Sequence, residues 1–323
     1  DADRLVRTAS VAAAMSVEAL LGTDVAYAAA YQLARPHPGQ LAVAAELRHL
    51  LRDSSLQQGH KDDPHKVQDP YSLRCVPQVH GAVRDALDHL RRVLDIEMNS
   101  ATDNPLVFAE GGVTSSDARA TGGGRVISGG NFHGEPIALA LDFAKLAIAE
   151  LGAISERRIA LLVDERLNGG LPAFLTGAGA SGVDSGMMVY QYTAAALASE
   201  NKVLAHPASV DSIPTSANQE DHVSMGPIAA RHARRVLEAV ERIIAIELVA
   251  AAQGLDLRLA QPQRVGNEPG AGVRDAHRLV RAVVAHLDGD REPAADLRAA
   301  TALVSSGSLA ALAEPRPSQA GKG

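Results

Sequence analysis

The sequence has no tryptophan, and aromatic residues make up only 3% of its 323 positions. Its core must therefore be built from Ala, Leu, Val and Ile. A single cysteine excludes an intrachain disulfide bond and any cysteine-based zinc site. No apolar run reaches the roughly 18 residues that a membrane-spanning helix requires, so no membrane contact is expected.

The charge balance is acidic, with a formal net charge of -7. Nucleic acids and acidic membranes need a basic footprint, which this balance does not give. Hydrophobic and charged residues, at 46% and 21%, lie near globular averages and argue against wholesale disorder. The chain shows no signal-peptide pattern, and we expect a cytoplasmic location. Because it starts at Asp1 and is already apolar by Val11, we also expect the carboxy-terminal part of a longer protein.

Apolar residues recur at steps of three and four along most of the chain, which is the helical period. Strand signals are few, and several of the predicted helices exceed 20 residues. We therefore predict an all-α fold, a bundle of long helices. The predicted helices cover residues 3–34, 40–53, 71–98, 136–163, 185–204, 226–253, 272–286 and 295–313.

The predicted organisation has three parts. A helical core covers residues 1–258, carboxy-terminal helices cover 259–313, and a disordered tail covers 314–323. We interpret the polar stretch 54–67 as an exposed loop and the Gly-rich stretch 110–131 as a turn segment that can hold a short hairpin. The wide apolar stripes exceed what one subunit can bury, so helix-mediated oligomerisation is expected.

The first polar cluster begins a predicted helix, with Asp69 as its N-cap. Gln68, Tyr71 and Arg74 follow one another at intervals of three, which places them near one helix face. A phenol and a guanidinium there could transfer a proton and clamp a carboxylate. An ordinary exposed helix start with a salt bridge explains the same spacing, and the residues alone leave both open. We expect the neighbouring Cys75 to be a buried structural thiol.

The second cluster is a glycine-flanked turn that holds Phe132, His133 and Glu135 at the start of a long helix. A lone phenylalanine in a turn is usually a hydrophobic plug, and the two polar residues suit an exposed surface. Two potential ligands with no third nearby are weak support for a metal site, and we predict none.

The third cluster, residues 211–225, is rich in hydrogen-bonding side chains although it links two apolar helices. Either Glu220 or His222 could act there as an acid or a base. Asp221, His222 and Ser224 have the residue types of a hydrolase triad. We reject a triad because neighbours in sequence cannot adopt its geometry.

Through longer strings around these clusters, the chain resembles the histidine ammonia-lyase branch of the aromatic amino acid lyase family. The strings follow the family's order over most of the chain, about residues 5 to 258. The Gln-Glu-Asp-His form of the last string is similar to that of histidine-specific members. The matching strings are 68–75 (QDPYSLRC), 99–106 (NSATDNPL), 130–133 (GNFH), 154–158 (ISERR), 196–200 (ALASE) and 216–225 (SANQEDHVSM).

The resemblance implies the removal of ammonia from an α-amino acid, in this branch the conversion of L-histidine to trans-urocanate. It also implies a 4-methylideneimidazol-5-one (MIO) prosthetic group, which the family forms from an internal Ala-Ser-Gly tripeptide. The chain contains such a tripeptide at Ala180, Ser181 and Gly182, outside the family's usual context. We expect this tripeptide to be a coincidence and the true precursor to be absent from this chain.

The resemblance also implies roles for individual residues. Tyr71 would assist proton or amine chemistry, Arg74 would bind the substrate carboxylate, and Gln68 would support that contact. Phe132 would pack beside the prosthetic ring. Glu220 would face the substrate imidazole as a binding partner or a base.

The resemblance further implies a tetramer whose active sites are assembled from several subunits, so the isolated chain is expected to be inactive. Its expected partners are the amino acid substrate and either identical copies or a chain that supplies the amino-terminal half. Three interpretations stay open: the carboxy-terminal portion of a histidine ammonia-lyase, one subunit of a split lyase, or a non-catalytic helical scaffold. Another aromatic amino acid is the alternative substrate.

Overall fold

Long α-helices form most of the structure, a computed structural model that describes residues 1–56, 67–109, 119–121, 124–177 and 182–314. The all-α prediction is confirmed, with one small sheet added to it. The α-helices of the described residues are α1 (Ala2–Ala19), α2 (Ala29–Leu33), α3 (Pro38–Leu50), α4 (Tyr71–Arg74), α5 (Val76–Glu97), α6 (Glu135–Val163), α7 (Met188–Leu204), α8 (Gly226–Leu259), α9 (Ala271–Arg281) and α10 (Pro293–Ser306).

The small sheet lies within and just before the Gly-rich stretch that was predicted to hold a short hairpin. Its middle strand runs antiparallel to both neighbours, with Leu106 paired to Ile127 on one side and Arg119 paired to Val126 on the other. The strands are β1 (Leu106–Ala109), β2 (Arg119–Thr121) and β3 (Gly124–Ile127), in the spatial order β1-β3-β2.

Helix α8 is the centre of the bundle. It is buried without interruption from Ile243 to Leu255, because α1, α6, α7 and α10 all pack against it. Small side chains let these helices approach closely, as the shortage of aromatic residues predicts. At the crossing of α3 and α5, for example, a side chain on Gly39 would meet the Gly81 carbonyl oxygen at 2.1 Å.

The first helix is shorter than predicted, since α1 ends at Ala19 rather than near residue 34. Leu21 takes the left-handed conformation with a φ of 54°, and the Gly22 N–H donates back to the Val17 carbonyl at 2.7 Å. A left-handed residue with such a returning hydrogen bond is a common helix C-terminus. A 3-10 turn over Val25–Tyr27 and the short helix α2 replace the rest of the predicted helix.

The predicted helix over 71–98 is divided at Cys75 into α4 and α5. Pro77 stands directly after this division. Proline has no N–H to donate to the carbonyl four residues earlier, here that of Leu73, so a continuous helix is disfavoured. The division leaves α4 as an isolated turn of four residues.

The other predicted helices are found with shifted ends, and α8 continues to Leu259. The last predicted helix is α10 followed by a 3-10 turn over Ala310–Ala313. Several segments that the sequence analysis interpreted lie outside the described residues. These are most of the loop over 54–67, two residues of the tripeptide (Ala180 and Ser181), and the tail beyond Glu314.

A buried ion pair between Arg158 of α6 and Glu247 of α8 ties the core together. Both side chains are fully buried, and the guanidinium donates to both carboxylate oxygens, at 2.8 Å between Nη2 and Oε2. The hydroxyls of Ser16 in α1 and Ser155 in α6 donate to the same carboxylate at 2.7 and 2.6 Å. Each oxygen of Glu247 therefore accepts two hydrogen bonds, which compensates for the loss of water around the pair.

The same guanidinium reaches the short helix α4. Its Nη1 donates to the main-chain carbonyl of Ser72 at 3.3 Å. The buried guanidinium of Arg158 in α6 thus contacts both α8 and α4. The Ser16 hydroxyl connects α1 to the same carboxylate of α8. The position of α4 is coupled in this way to the packing of the longest helices.

We predict that Glu247→Gln destabilises the fold by about 3–5 kcal/mol, because it leaves the buried charge of Arg158 without its partner. The free energy of unfolding in urea measures the effect. Glu238→Gln is the matched control, since it breaks an exposed pair with Arg234 on the same helix and should change stability by less than about 1 kcal/mol. Equal, small effects of the two substitutions would contradict the role given to the pair.

A second buried carboxylate, Glu18, lies near the end of α1 and accepts the N–H of Gly270, the residue before α9, at 2.9 and 3.1 Å. Burial raises the pKa of Glu18 to about 7, against the opposing effects of Ser54, Gly270 and Arg274. The folded chain therefore holds a proton that the unfolded chain releases near pH 4.5. The stability contributed by this proton is complete below pH 4.5 and is lost as the pH rises through 7.

We predict that Glu18→Gln removes this part of the pH dependence, because the amide stays neutral and can still accept from Gly270. The variant should gain up to about 3 kcal/mol over the wild type at pH 8 and nearly nothing at pH 4.5. Urea unfolding of both proteins at the two pH values measures this difference. The same difference at both pH values would show that Glu18 does not titrate in this range.

Candidate active site

A cleft of about 750 Å³ opens beside α4. One wall is the segment after α1, with Thr23, Val25 and Ala26, and the other includes Asp69 and Arg74. Gln68, Tyr31, Arg35 and Gln78 also line the cleft, so that polar groups surround an accessible space.

Tyr71 and Arg74 lie near one face, as their spacing predicted, and Arg74 lines this cleft. The guanidinium carbon of Arg74 lies 4.5 Å from the centre of the Tyr71 ring, a distance suited to a cation–π contact. Tyr71 is 71% exposed, whereas Arg74 is half-buried and lines the cleft. Gln68 is exposed and lines the same cleft.

Two buried polar atoms in the cleft wall lack a hydrogen-bond partner in the described structure. They are Nε of Arg74, a donor, and Oε1 of Gln78, an acceptor. Buried polar atoms are almost always paired in native proteins. The two atoms belong to residues four positions apart in sequence that line the same cleft, so this wall of the cleft has unused hydrogen-bonding capacity.

Two expectations about this cluster are wrong. Asp69 is not a helix N-cap, because α4 begins without a side-chain cap and the buried carboxylate accepts the N–H of Thr23 at 2.9 Å. This bond joins the two walls of the cleft. Cys75 is not a buried structural thiol, since it is partly exposed and lines the cleft.

Several residues of the cleft were not singled out from the sequence. Gln78 follows Arg74 by four residues, which is a usable signal for a shared face. Tyr31 and Arg35 come from α2 and the turn after it, and nothing in their spacing connects them to Arg74. Their contribution depends on the tertiary fold.

The second and third polar clusters meet each other at the other end of α6. His133 lies against His222, with parallel rings 5.9 Å apart and Nε2 of His133 3.0 Å from the His222 carbonyl oxygen. Gly134, which precedes α6, approaches the Ser224 side chain. Phe132 is 57% exposed at the tip of this turn, so it is not the buried plug that a lone turn phenylalanine usually is.

Glu220 is exposed on a tight loop in the third cluster. Its main chain pairs with Thr215 in an isolated bridge, and the Thr215 hydroxyl donates to its carboxylate at 2.5 Å. Between them, Ser216, Ala217 and Asn218 all take the left-handed conformation, with φ of 48°, 52° and 68°. This conformation is unfavourable for residues with a Cβ and is concentrated at functional sites.

The two ends of α6 are far apart. The Ser72 carbonyl contacts Arg158, near the carboxy-terminal end of the helix, whereas the Phe132 turn precedes its first residue. At 1.5 Å per residue, the stretch of helix from Glu135 to Arg158 spans roughly 35 Å. Tyr71 and Arg74 therefore do not share a site with Phe132 and Glu220 of the same chain.

The described residues were also compared with the geometry of metal sites and of membrane-spanning helices. No group of three or more His, Cys, Asp or Glu residues there has the geometry of a metal site. None of the helices described is both long enough and apolar enough to cross a bilayer.

Comparison with known proteins identifies close relatives. A profile of the aromatic amino acid lyases matches residues 1–282. The histidine ammonia-lyase of Symbiobacterium thermophilum is 52% identical over 97% of this chain and 57% of its own length. That of Koribacter versatilis is 51% identical over 97% of this chain and 59% of its own length. The chain thus spans less than three-fifths of the length of these curated relatives.

Solved structures agree with this comparison. The crystal structure of histidine ammonia-lyase from Trypanosoma cruzi superposes with a TM-score of 0.83 at 44% identity, covering 97% of this chain and 55% of that one. The tyrosine aminomutase from Streptomyces globisporus superposes with a TM-score of 0.84 at 37% identity, covering 96% of this chain and 59% of that one.

Proposed function

The chain belongs to the aromatic amino acid lyase family, and from that premise we propose that it is the carboxy-terminal portion of a histidine ammonia-lyase. The reaction converts L-histidine to trans-urocanate and ammonia. A proton leaves the β-carbon, the carbon–nitrogen bond breaks with its electron pair on nitrogen, and an α,β double bond forms. No oxidant or reductant is consumed.

The observation that carries this proposal is the Arg74 cleft. A half-buried guanidinium with an unpaired Nε faces a cleft large enough for an amino acid. Guanidinium groups bind carboxylates through two parallel hydrogen bonds, and these charge-assisted bonds are stronger than neutral ones. Arg74 holds the α-carboxylate of the substrate, and Gln68 supports this contact from the same wall.

Tyr71 contributes the proton chemistry of this half of the site. Its phenol lies beside the guanidinium that holds the carboxylate and is open to the surroundings. From there it can exchange a proton with the β-carbon or the amine of a substrate whose carboxylate is on Arg74. Both groups belong to the short helix α4.

Glu220 and Phe132 contribute the other half of the site. The strained loop presents the Glu220 carboxylate to the exterior, where it pairs with the imidazole of histidine or acts as a base. The Gln-Glu-Asp-His string supports histidine as the substrate. Phe132 projects from the neighbouring turn and packs beside the prosthetic group.

An assembly of several copies brings the two halves together. Because α6 separates them by roughly 35 Å, a complete site takes Tyr71 and Arg74 from one copy and Phe132 and Glu220 from another. Three large apolar side chains of α6 support such an assembly, since they form an exposed stripe at helical spacing. They are Leu139, Phe143 and Leu146, which are 54%, 50% and 45% exposed. We propose a homotetramer.

The MIO group fits the surroundings of these residues, since Tyr71 and Phe132 both project beyond the surface of the single chain. When present, the group supplies an electrophile that ordinary side chains lack. We place its precursor outside this chain and not at Ala180, Ser181 and Gly182. The coverage of less than three-fifths of the relatives supports this placement. The isolated chain is accordingly expected to be inactive.

We predict that Arg74→Ala in the complete enzyme lowers kcat/KM for L-histidine by about a hundredfold or more, because the carboxylate clamp is lost. Formation of trans-urocanate, followed by its ultraviolet absorbance, measures the rate. Arg278→Ala is the control, since this exposed arginine pairs with Asp275 on its own helix and should leave the rate unchanged. An Arg74→Ala enzyme with the wild-type kcat/KM would refute the assignment.

A further inference from the structure

We propose that Tyr27 is a positioning residue for this site, and that it acts by holding the main-chain carbonyl of Leu73 next to Arg74. The inference rests on the proposed function, because it concerns the same cleft. Tyr27 itself is fully buried and does not reach a ligand. Any effect of Tyr27 on the site must therefore act through the main chain at Leu73, to which its hydroxyl is bonded.

The break between α4 and α5 creates the need for such a group. In a continuous helix the Leu73 carbonyl would accept the N–H of the residue four positions later. That residue is Pro77, which has no N–H. The Leu73 carbonyl therefore lacks the usual helical donor.

Tyr27 supplies that donor. Its hydroxyl donates to the Leu73 carbonyl oxygen at 2.7 Å, and its ring has no exposed surface. Its own carbonyl is held in turn by Nη1 of Arg48 at 2.5 Å. Arg48 thus holds the main chain of Tyr27, while the Tyr27 hydroxyl donates one hydrogen bond to Leu73.

The bond also joins the two sides of the cleft. Tyr27 directly follows Val25 and Ala26 of one wall, and Leu73 directly precedes Arg74 of the other. The helix α4 has only four residues and no side-chain cap, so it has little rigidity of its own. The hydroxyl of Tyr27 therefore sets how far Arg74 stands from the opposite wall.

A proton-transfer role for Tyr27 does not fit its surroundings. Burial and the nearby carboxylate of Asp69 raise the pKa of the Tyr27 phenol far above its ordinary value. Its hydroxyl therefore stays protonated near neutral pH and donates to Leu73 there. Tyr71, in contrast, is exposed and contacts the Arg74 guanidinium.

Tyr27→Phe in the complete, assembled enzyme tests the inference, because it removes only the hydroxyl and keeps the buried ring. We expect kcat/KM for L-histidine to fall by about tenfold, with no change in the shape of its pH profile. Competitive inhibition by trans-urocanate, which carries the carboxylate, should weaken about tenfold as well. Inhibition by the carboxamide of urocanate should stay within about twofold, because a neutral amide lacks the charge-assisted contact.

Tyr190→Phe is the matched control. Tyr190 is also buried, and its hydroxyl donates to Asp296 at 3.0 Å, between α7 and α10 and away from the cleft. The control also loses one hydrogen bond donated by a tyrosine hydroxyl and should leave both inhibition constants unchanged. It separates a general loss of stability from a change in the cleft.

Four results would overturn the inference. Wild-type kinetics in Tyr27→Phe, or equal effects in Tyr27→Phe and Tyr190→Phe, would reject the positioning role while the proposed function stands. Equal weakening of the carboxylate and carboxamide inhibitors would reject it too, since Arg74 distinguishes the two. A wild-type enzyme that does not convert histidine would reject the proposed function together with this inference.

Discussion

The buried pair of Arg158 and Glu247 is the interaction on which the rest of this structure depends. It lies where α6 crosses α8, the longest helix, and the hydroxyl of Ser16 brings α1 to the same point. Charges are held there without water only because every oxygen of the carboxylate is occupied. The remaining donor of the guanidinium reaches α4 at Ser72, so the core and the cleft share one charged group. A change in the packing of the core helices would move Arg74 with it.

The length of α6 imposes the second constraint. A continuous helix of 29 residues keeps the cleft of Arg74 at one end and the loop of Glu220 at the other. In the proposed function neither half is a catalytic site by itself, because Arg74 binds the substrate carboxylate in one half and Glu220 serves the imidazole in the other. The exposed apolar stripe on the same helix is the surface proposed for packing between identical copies. The proposed assembly follows from this separation of the two halves.

The sequence predicted the long helices well, because their apolar residues repeat with a clear period and their ends carry proline and glycine. The prediction was wrong or silent where a main-chain carbonyl or a charged side chain pairs with a residue that is distant in sequence. Pro77 was visible in the sequence, but the division at Cys75 depends on donors from Tyr27 and Arg158, which lie 46 and 86 residues from their acceptors. The pairing of Arg158 with Glu247, 89 residues apart, has no local signal either.

The candidate residues were found for two different reasons. The spacing of Tyr71 and Arg74 predicted that they lie near one helix face, whereas Phe132 and Glu220 stood out in polar clusters and received their roles from the resemblance to a family. No pattern in the sequence shows that the last two lie at the opposite end of α6, since that follows from the length of the continuous helix. The left-handed turn before Glu220 also escaped prediction, because Ser216 and Ala217 have no preference for that conformation.

Mixing two inactive variants tests the account most directly. Arg74→Ala enzyme lacks one half of each site and Glu220→Gln enzyme lacks the other, so each should be strongly impaired alone. When the two are unfolded, mixed and reassembled, some sites receive Arg74 from one copy and Glu220 from another. The account predicts that these mixed tetramers, identified by native mass spectrometry, regain a substantial fraction of wild-type activity. Mixed tetramers no more active than the two parents would contradict it.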